Sequence, residues 1–487
     1  MSISSAQDRL QRIPIQINQG GTQKTYKPQG PWARRIESWI APHQWLLSWV
    51  HVVMFFGFLI LMSVPLLLPL PADNARFWNN FTLFANFMIW GLWFPLVFVS
   101  VVFSGRSWCG VLCPLGACSE WANRVGFKRP VPRWVRWEGT PIVSFIVITV
   151  LAQTVGARDH ALGIAEIFGA TFVFAILLGF VYGPGRSKRA WCRHMCPIGL
   201  MLGVFSRIGA VQFRPKLPRS GGERYTEKGI CPTMIDINRK AESRHCIECF
   251  RCVNPKARGG LQLIFRRPGV EVEQIRQHNP NTAEIWFLFL ATGLSLGGFL
   301  WLVLPQYQLL RQTLGTWAIN QGWYWIGSPG PAWLMSVHPE AREVFTWLDF
   351  FMIVGFMMGC AVALTAILGL FSWIGGALSA WFAGTTNRRA RMLEQAYAYM
   401  PVAMVSLVIG LGGKLFDAMA TAGIPPSAVA GIKIVGFAVS LLWSLQLSHR
   451  LVGVQGLAGP RRWLVMLPTA AGVMVIGLAW WPAIFGL

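Results

Sequence analysis

Charged residues are scarce in this chain, which has 487 residues. They make up 13% of it, whereas 54% of the residues are hydrophobic, and an ordinary soluble domain carries about 25% charged residues. This scarcity excludes a typical soluble globular protein. It indicates an all-α polytopic membrane protein.

Acidic residues are the scarcer kind: 20 Asp and Glu stand against 43 Lys and Arg, which gives a net charge of +23. The basic residues fall in short clusters between apolar runs, a pattern typical of loops that stay on the inner side of a membrane. Anionic lipid headgroups are the expected counter-surface. Because no basic domain exists apart from these loops, we expect no nucleic-acid partner.

The apolar runs are long enough, at roughly 20 residues each, to cross the hydrocarbon layer. They predict about nine transmembrane helices, at 45–70, 78–103, 138–156, 162–183, 284–304, 347–374, 397–420, 428–448 and 463–485. About 43 mostly polar residues precede the first run, so we expect a retained helix and no cleaved leader. Basic loops alternate with loops that hold few basic residues. The alternation predicts a multi-pass protein of a bacterial inner membrane, with a cytoplasmic N-terminus and a periplasmic C-terminus.

The runs divide the chain into four parts. Residues 1–43 are predicted to form a cytoplasmic tail, and residues 44–213 a four-helix membrane core. Residues 214–283 form a small cytoplasmic ferredoxin-like segment, too short for an independent core. Residues 284–487 add a five-helix membrane domain, whose Trp-rich loop 305–346 is expected along the outer face.

Cysteines are too few for a disulfide scaffold: there are ten, and nine lie between positions 109 and 252. Such clustering indicates metal binding. Two motifs read Trp-Cys-x3-Cys-Pro-[Leu/Ile]-Gly, one with Cys109 and Cys113 and one with Cys192 and Cys196, which indicates an internal duplication. A third group comprises Cys231-Pro232 and the run Cys246-x2-Cys249-x2-Cys252. Cys118 and Cys360 lie outside these motifs and are expected to be packing residues.

An iron–sulfur cubane takes four thiolates, commonly from C-x2-C-x2-C and a distant Cys-Pro. Lys256 occupies the position where a ferredoxin run would place that next cysteine, so Cys231 is the nearest fourth ligand. The spacing predicts two [4Fe-4S] clusters, one held by Cys231, Cys246, Cys249 and Cys252 and one by Cys109, Cys113, Cys192 and Cys196. Proline after a cysteine suits the first turn of a helix, whose free N–H groups attract an anion. Exchange of ligands between the sets and structural zinc are the competing interpretations.

The same motifs resemble those of the membrane-bound polyferredoxins of the NapH, NosR and CcoG type. The resemblance covers about residues 45–265 and includes Glu120-Trp-Ala-Asn after the first motif and Gly203-Val-Phe-Ser-Arg-Ile-Gly after the second. It implies four core helices, cytoplasmic [4Fe-4S] clusters, and electron transfer between quinol and a partner redox protein. The chain departs from the family in having one C-x2-C-x2-C group, no outer flavin-binding or C-terminal domain, and five added helices. The first departure limits the expected number of clusters to two.

Several ionisable residues fall within predicted helices, where charge is costly in lipid. They are interpreted either as ion pairs and snorkelling side chains or as a quinone or proton-transfer site, and they comprise His51, Glu166, Asp349, Lys414, Asp417 and Lys433. Lys414 and Asp417 are three residues apart, on one helical face.

The predicted function is that of an oxidoreductase subunit of quinol-dehydrogenase type, which passes electrons between the quinone pool and a redox partner. One alternative is a copper reductase or maturation factor, for which only Met335 and His338 offer outward soft ligands. Another is a transporter with an iron–sulfur sensor, favoured by the added helices.

Overall fold

The computed structural model describes residues 29–72, 74–216, 228–257 and 259–485. The predicted N-terminal tail therefore lies largely outside the described residues. Its last part forms helix α1, Pro31–Ile40.

The regular secondary structure of the described chain before residue 211 is helical. Its helices are α2 Gln44–Ser63, α3 Phe81–Asn86, α4 Phe94–Ser104, α5 Pro114–Val125, α6 Arg133–Arg136, α7 Thr140–Thr154, α8 Ala161–Val181, α9 Ala190–His194 and α10 Pro197–Phe205. Phe87–Trp93 is a π-helical stretch that joins α3 and α4 into one rod. A second π-helical turn, Trp108–Leu112, carries the first cysteine motif.

The second half contains a small sheet and the remaining helices. Strands β1 Val211–Pro215 and β2 Leu261–Phe265 pair antiparallel, as do β3 Val337–His338 and β4 Glu343–Val344. The helices are α11 Val270–Glu273, α12 Thr282–Val303, α13 Pro305–Asn320, α14 Trp347–Phe382, α15 Arg388–Ala396, α16 Met400–Leu411, α17 Gly413–Thr421, α18 Pro426–Val454, α19 Gly459–Ala479 and α20 Trp481–Phe485.

Eight helical segments of the described chain are long and apolar enough to cross a membrane, so the protein is a multi-pass membrane protein. They are Gln44–Leu66, Phe81–Ser104, Ala161–Val181, Thr282–Val303, Trp347–Phe382, Arg388–Gly410, Pro426–Val454 and Gly459–Ala479. The run predicted at 138–156 forms α7, which has 15 residues. This helix is about 22 Å long, whereas a typical span has about 20 residues and crosses about 30 Å of hydrocarbon.

The basic stretch 384–396 lies between the runs predicted at 347–374 and 397–420 and is therefore expected to be a basic loop, but this expectation is wrong, because most of the stretch is helix α15. Arg391 is buried, and its guanidinium donates to Ser379 Oγ at 3.0 Å and to the carbonyl oxygen of Gln455 at 2.8 Å. The helical segment that is long and apolar enough to span therefore runs from Arg388 to Gly410, whereas the predicted run covers 397–420. The loop predicted at 305–346 also contains a helix, α13, whose Tyr307 is buried.

The two membrane parts share one hydrophobic core. It joins residues of the first part, such as Phe98 and Phe205, with Phe289, Ala361 and Leu407 of the second. Local capping fixes where the second part begins. Asn281 accepts from the backbone N–H of Ala283 at 2.7 Å and so caps α12.

The segment between the two membrane parts is held by buried ion pairs. Arg207 is fully buried, and its guanidinium lies 3.1 Å from Glu271 and 3.0 Å from Glu284, the latter on α12. Arg244 also pairs with Glu284, at 3.0 Å. The segment that carries the third cysteine group is thus anchored to the added helices. We call the end of the helix bundle that carries the three cysteine groups, between Cys109 and Cys252, the cysteine end.

Candidate metal centres

The four cysteines of the two duplicated motifs line one large cavity, together with apolar residues of the membrane helices. Cys113 and Cys196 are the N-caps of α5 and α10, and a proline follows each. Their sulfurs accept from the backbone N–H groups of Gly116 and Gly199, at 3.5 and 3.2 Å. Each Cys-Pro pair therefore starts a helix whose N-terminus points at the sulfur, as the sequence predicts.

The other four predicted ligands, Cys231, Cys246, Cys249 and Cys252, line a separate cavity of about 10 Å³, which we call the small cavity. Glu248 and Phe250 have positive φ angles of 52° and 60°. Left-handed backbone is unfavourable for such residues and requires support from the surroundings. Here it winds the C-x2-C-x2-C run into a loop around the cavity.

The two cavities adjoin through close backbone contacts. Gly110, inside the first motif, lies so near the backbone of Ile247 and Cys249 that a Cβ atom would overlap the carbonyl oxygen of Ile247. Beside the second motif, the backbone N–H of Arg189 donates to the carbonyl oxygen of Pro232 at 2.8 Å. The third cysteine group thus packs directly on both duplicated motifs.

Burial raises the pKa of the thiols: that of Cys113 to about 11, and those of Cys192 and Cys246 to about 12. Neighbouring cysteines of the same set add to the rise for Cys113. A thiol in such surroundings stays protonated unless a metal replaces its proton. Two sets of four cysteines, in which only Cys113 and Cys196 are less than fully buried, are therefore suited to metal ligation, and ligation itself stays a prediction.

Arginine side chains lie around the part of the large cavity that the four cysteines line. Arg106 and Arg189 are buried, and Arg193 has its pKa lowered to about 10 by burial and by Arg244 and Arg106. Among the described residues, Arg106 Nε and Arg193 Nη1 are buried without a hydrogen-bond partner. Crowded guanidinium groups of this kind favour an anion between them, and a cubane with four thiolates is an anion.

Glu120 holds the site together, a role that the sequence analysis did not assign. Its side chain is 2% exposed and accepts from Arg189 at 2.9 Å, from Arg124 at 2.9 Å and from Arg251. Arg189 in turn donates to the carbonyl oxygen of Cys109 at 2.8 Å. The only sequence signal for this role was the position of Glu120 directly after the first motif.

The predicted quinone or proton residues do not form one group. His51 lies at the cysteine end, where its Nε2 is 3.0 Å from the carbonyl oxygen of Gly110. Asp349 caps α14 in a capping box with Thr346 and pairs with Arg311 at 2.5 Å. Both side chains therefore have structural partners.

The remaining predicted residues lie toward the opposite end of the bundle. Lys414 pairs with Asp159 at 2.6 Å rather than with Asp417, and the ammonium of Lys433 lies 4.8 Å from the ring centroid of Phe416. Glu166 is half-buried on α8. None of the six predicted residues lines the large cavity.

The residues considered for an outer metal site are also separated. Met335 is fully buried, and the ring of His338 stacks on that of His160 with centroids 3.9 Å apart. Across the described ranges, no three His, Cys, Asp or Glu side chains converge on a position for a single metal ion. Each set of four cysteines surrounds a cavity instead.

The sequence around the two duplicated motifs is similar to that of known iron–sulfur proteins. Residues 86–132 and 169–218 match a family model described as a 4Fe-4S binding domain, a match that includes both duplicated motifs. The predicted resemblance to membrane-bound polyferredoxins is confirmed.

Three relatives illustrate the similarity. An uncharacterized protein of Methanocaldococcus jannaschii is 26% identical over 34% of this chain and 68% of its own length. Protein NirI of Paracoccus denitrificans is 26% identical over 38% of this chain and 28% of its own. The ferredoxin-type protein NapH of Haemophilus influenzae is 24% identical over 33% of this chain and 62% of its own. No solved structure matches the chain significantly.

Proposed function

We propose that this protein passes electrons between membrane quinol and a partner redox protein, through two [4Fe-4S] clusters at the cysteine end. One would be held by Cys109, Cys113, Cys192 and Cys196, and the other by Cys231, Cys246, Cys249 and Cys252. The observation that supports the proposal is that two adjoining cavities at the cysteine end are each lined by four cysteines, and six of these eight cysteines are buried. Bound clusters would supply one-electron redox chemistry.

The protein's own residues would hold and tune these groups. Backbone N–H groups of Gly116 and Gly199 donate to cysteine sulfur, and hydrogen bonds of this kind favour the more negative, reduced state. Arg106 acts in the same direction, with its Nη2 3.9 Å from the sulfur of Cys109. The contact between Gly110 and the third cysteine group brings the two centres next to each other.

A basic pocket gives the partner a place to dock. It opens beside Cys192 and Cys196, and it is lined by Arg106, Arg136, Arg193 and Arg244 with Glu138 as its one acidic residue. A partner with an acidic surface would be steered to such a pocket, since complementary charge accelerates encounter.

The cysteine end is proposed to face the cytoplasm. Eight helical segments are long and apolar enough to span, and with the short helix α7 counted as a further crossing the chain would cross nine times. Basic residues crowd the cysteine end, among them Arg124, Arg129 and Arg133. By the positive-inside rule, the N-terminus would be cytoplasmic and the C-terminus outside, in a bacterial inner membrane.

Removal of single thiols tests the function. Cys192→Ser and Cys249→Ser, each purified anaerobically, are expected to lose about half of the iron and labile sulfide, with a different EPR signal missing in each. Cys118→Ser and Cys360→Ser are matched controls, because neither cysteine lines a cysteine cavity. Full iron in both ligand variants, or stoichiometric zinc in the wild type, would contradict the proposal.

A further inference from the structure

The large cavity extends well beyond the four cysteines into the membrane. Its volume is about 180 Å³, and its walls are mainly aromatic and aliphatic, with Trp90, Trp93 and Phe168 among them. Along α7 it runs from Phe145 to Gln153, a rise of about 12 Å. One end therefore borders the predicted cluster ligands, and the other reaches toward the opposite end of the bundle.

Three polar side chains lie where the large cavity meets a second, adjoining cavity. Thr149, Gln153 and Ser295 line both. Gln153 Oε1 accepts from Trp301 Nε1 at 3.3 Å. Within the described ranges, no hydrogen bond engages Gln153 Nε2, Thr149 Oγ1 or Ser295 Oγ.

These open hydrogen-bonding groups are unusual for their surroundings. Thr154 is on the same helix as Thr149, Thr292 is on the same helix as Ser295, and Thr171 is on the neighbouring helix α8. Each donates to a carbonyl oxygen of its own helix, at 2.6 to 3.2 Å. Thr149 and Ser295 do not. Because polar groups within a membrane need partners, the junction is prepared for a ligand with oxygen atoms.

We propose that the large cavity is the quinone site, with the quinone ring at the junction and its apolar substituents along the aromatic wall. This inference rests on the proposed function and gives it a location. Gln153 Nε2 would donate to one ring oxygen, while Thr149 and Ser295 would accept from the quinol form or donate to the quinone. A mostly apolar cavity with a few convergent polar groups is the usual form of a small-molecule site.

The reaction balances within this arrangement. A quinol that becomes a quinone breaks two O–H bonds and releases two protons and two electrons. The electrons would leave singly toward the cysteines at one end of the cavity, and finally to the partner redox protein. The protons would leave through the adjoining cavity, which is lined by Arg158. Lys414 and Asp159 form their ion pair next to that residue, so protons and electrons would depart at opposite ends.

The test compares two reductants on the anaerobically purified, cluster-containing protein. Menadiol should bleach the visible cluster absorbance of the wild type, as should dithionite, which needs no quinone site. The variant Thr149→Val with Gln153→Leu should slow the menadiol reaction by about tenfold or more, because two hydrogen bonds to the ring are lost. Its dithionite reaction should stay complete. Thr154→Val is the matched control, since that hydroxyl is bonded within its own helix.

The outcomes separate the two proposals. A wild type that dithionite reduces and menadiol does not would overturn the proposed function, and this inference with it. A double variant that menadiol reduces at the wild-type rate would overturn the quinone site alone. Solvent extraction adds a measurement independent of electron flow: quinone should copurify with the wild type and be lost in Ala152→Trp, which fills the junction. A wild-type extract that contains phospholipid but no quinone would overturn the quinone site. If the double variant does not fold, Ser295→Ala takes its place in the menadiol measurement.

Discussion

Glu120→Gln is the substitution that most directly tests how the first predicted cluster site is held. The change keeps the shape of the side chain and removes its negative charge. Glu120 faces Arg189, which is fully buried, and Arg124, whose side chain is 40% exposed. Burial alone would raise the pKa of Glu120, but Arg189, Arg251 and Arg124 outweigh it and lower the pKa to about 2. The carboxylate of Glu120 is therefore ionised at neutral pH.

The expected effect follows from the burial of Arg189. Removing one partner of a buried ion pair leaves the other charge uncompensated and typically costs about 3–5 kcal/mol. The exposed contact with Arg124 contributes no more than about 1 kcal/mol. A bound anionic cluster would partly compensate Arg189, so the loss should be greater in the iron-free protein than in the iron-loaded protein.

The measurement is the thermal unfolding midpoint and the iron retained under a mild chelator, for both forms of the protein. Glu120→Gln should lower both, and the double variant with Arg189→Gln should recover part of the loss, because no charge is then left unpaired. Arg124→Gln is the control and should behave as the wild type. The reasoning would be refuted if Glu120→Gln and Arg124→Gln unfolded alike and retained the same iron.

Two further substitutions test two separate features. One is the contact between the two cysteine cavities, and the other is the group of charged residues at the opposite end of the bundle. Gly110→Ala should reduce the iron of both clusters, because its Cβ would overlap the carbonyl oxygen of Ile247; Gly57→Ala, which has nothing within 4 Å, should leave iron content unchanged. If the variant lost iron and only one of the two cluster EPR signals, the two centres would be shown to be independent. Lys414→Gln removes an ion pair with Asp159 that is 28% and 52% exposed, so stability should fall by no more than about 1 kcal/mol. The rate of cluster reduction by menadiol should not change, and a large fall would favour the charged residues as the quinone site.

Long apolar runs predict the membrane helices well, because such a run has few stable alternatives to a helix in lipid. The run predicted at 284–304 is the helix Thr282–Val303, and that at 162–183 is Ala161–Val181. Cysteine followed by proline likewise predicts a helix start at Pro114 and Pro197, since both the cap and the first turn are local.

Features that depend on distant partners are beyond such reasoning. The arginines of 384–396 suggest a loop, yet Arg391 is buried because Ser379 and Gln455 solvate its guanidinium. The spacing of Lys414 and Asp417 suggests a local pair, but Asp159 lies closer to the lysine.

The candidate site shows the same division. Local spacing groups the cysteines into two sets of four, and the structure places each set around its own cavity. The roles of Gly110 and Glu120 cannot be derived from local spacing, because each involves a contact with a segment more than a hundred positions away. The unbonded polar groups of Thr149 and Ser295 likewise become apparent only when the helices that carry them are packed together.

The partners of Glu120 also bear on when, during synthesis of the chain, a cluster could be inserted. The guanidinium partners of Glu120 include one on α5 itself and two from residues 189 and 251, which leave the ribosome much later. If the proposed clusters are bound, these contacts of Glu120 are complete only after residue 251 has been translated, and iron and sulfide would then be delivered to a chain whose first helices already lie in the bilayer. We therefore expect a nascent chain truncated before residue 251 to accept no stable inorganic core, even though it contains both duplicated motifs.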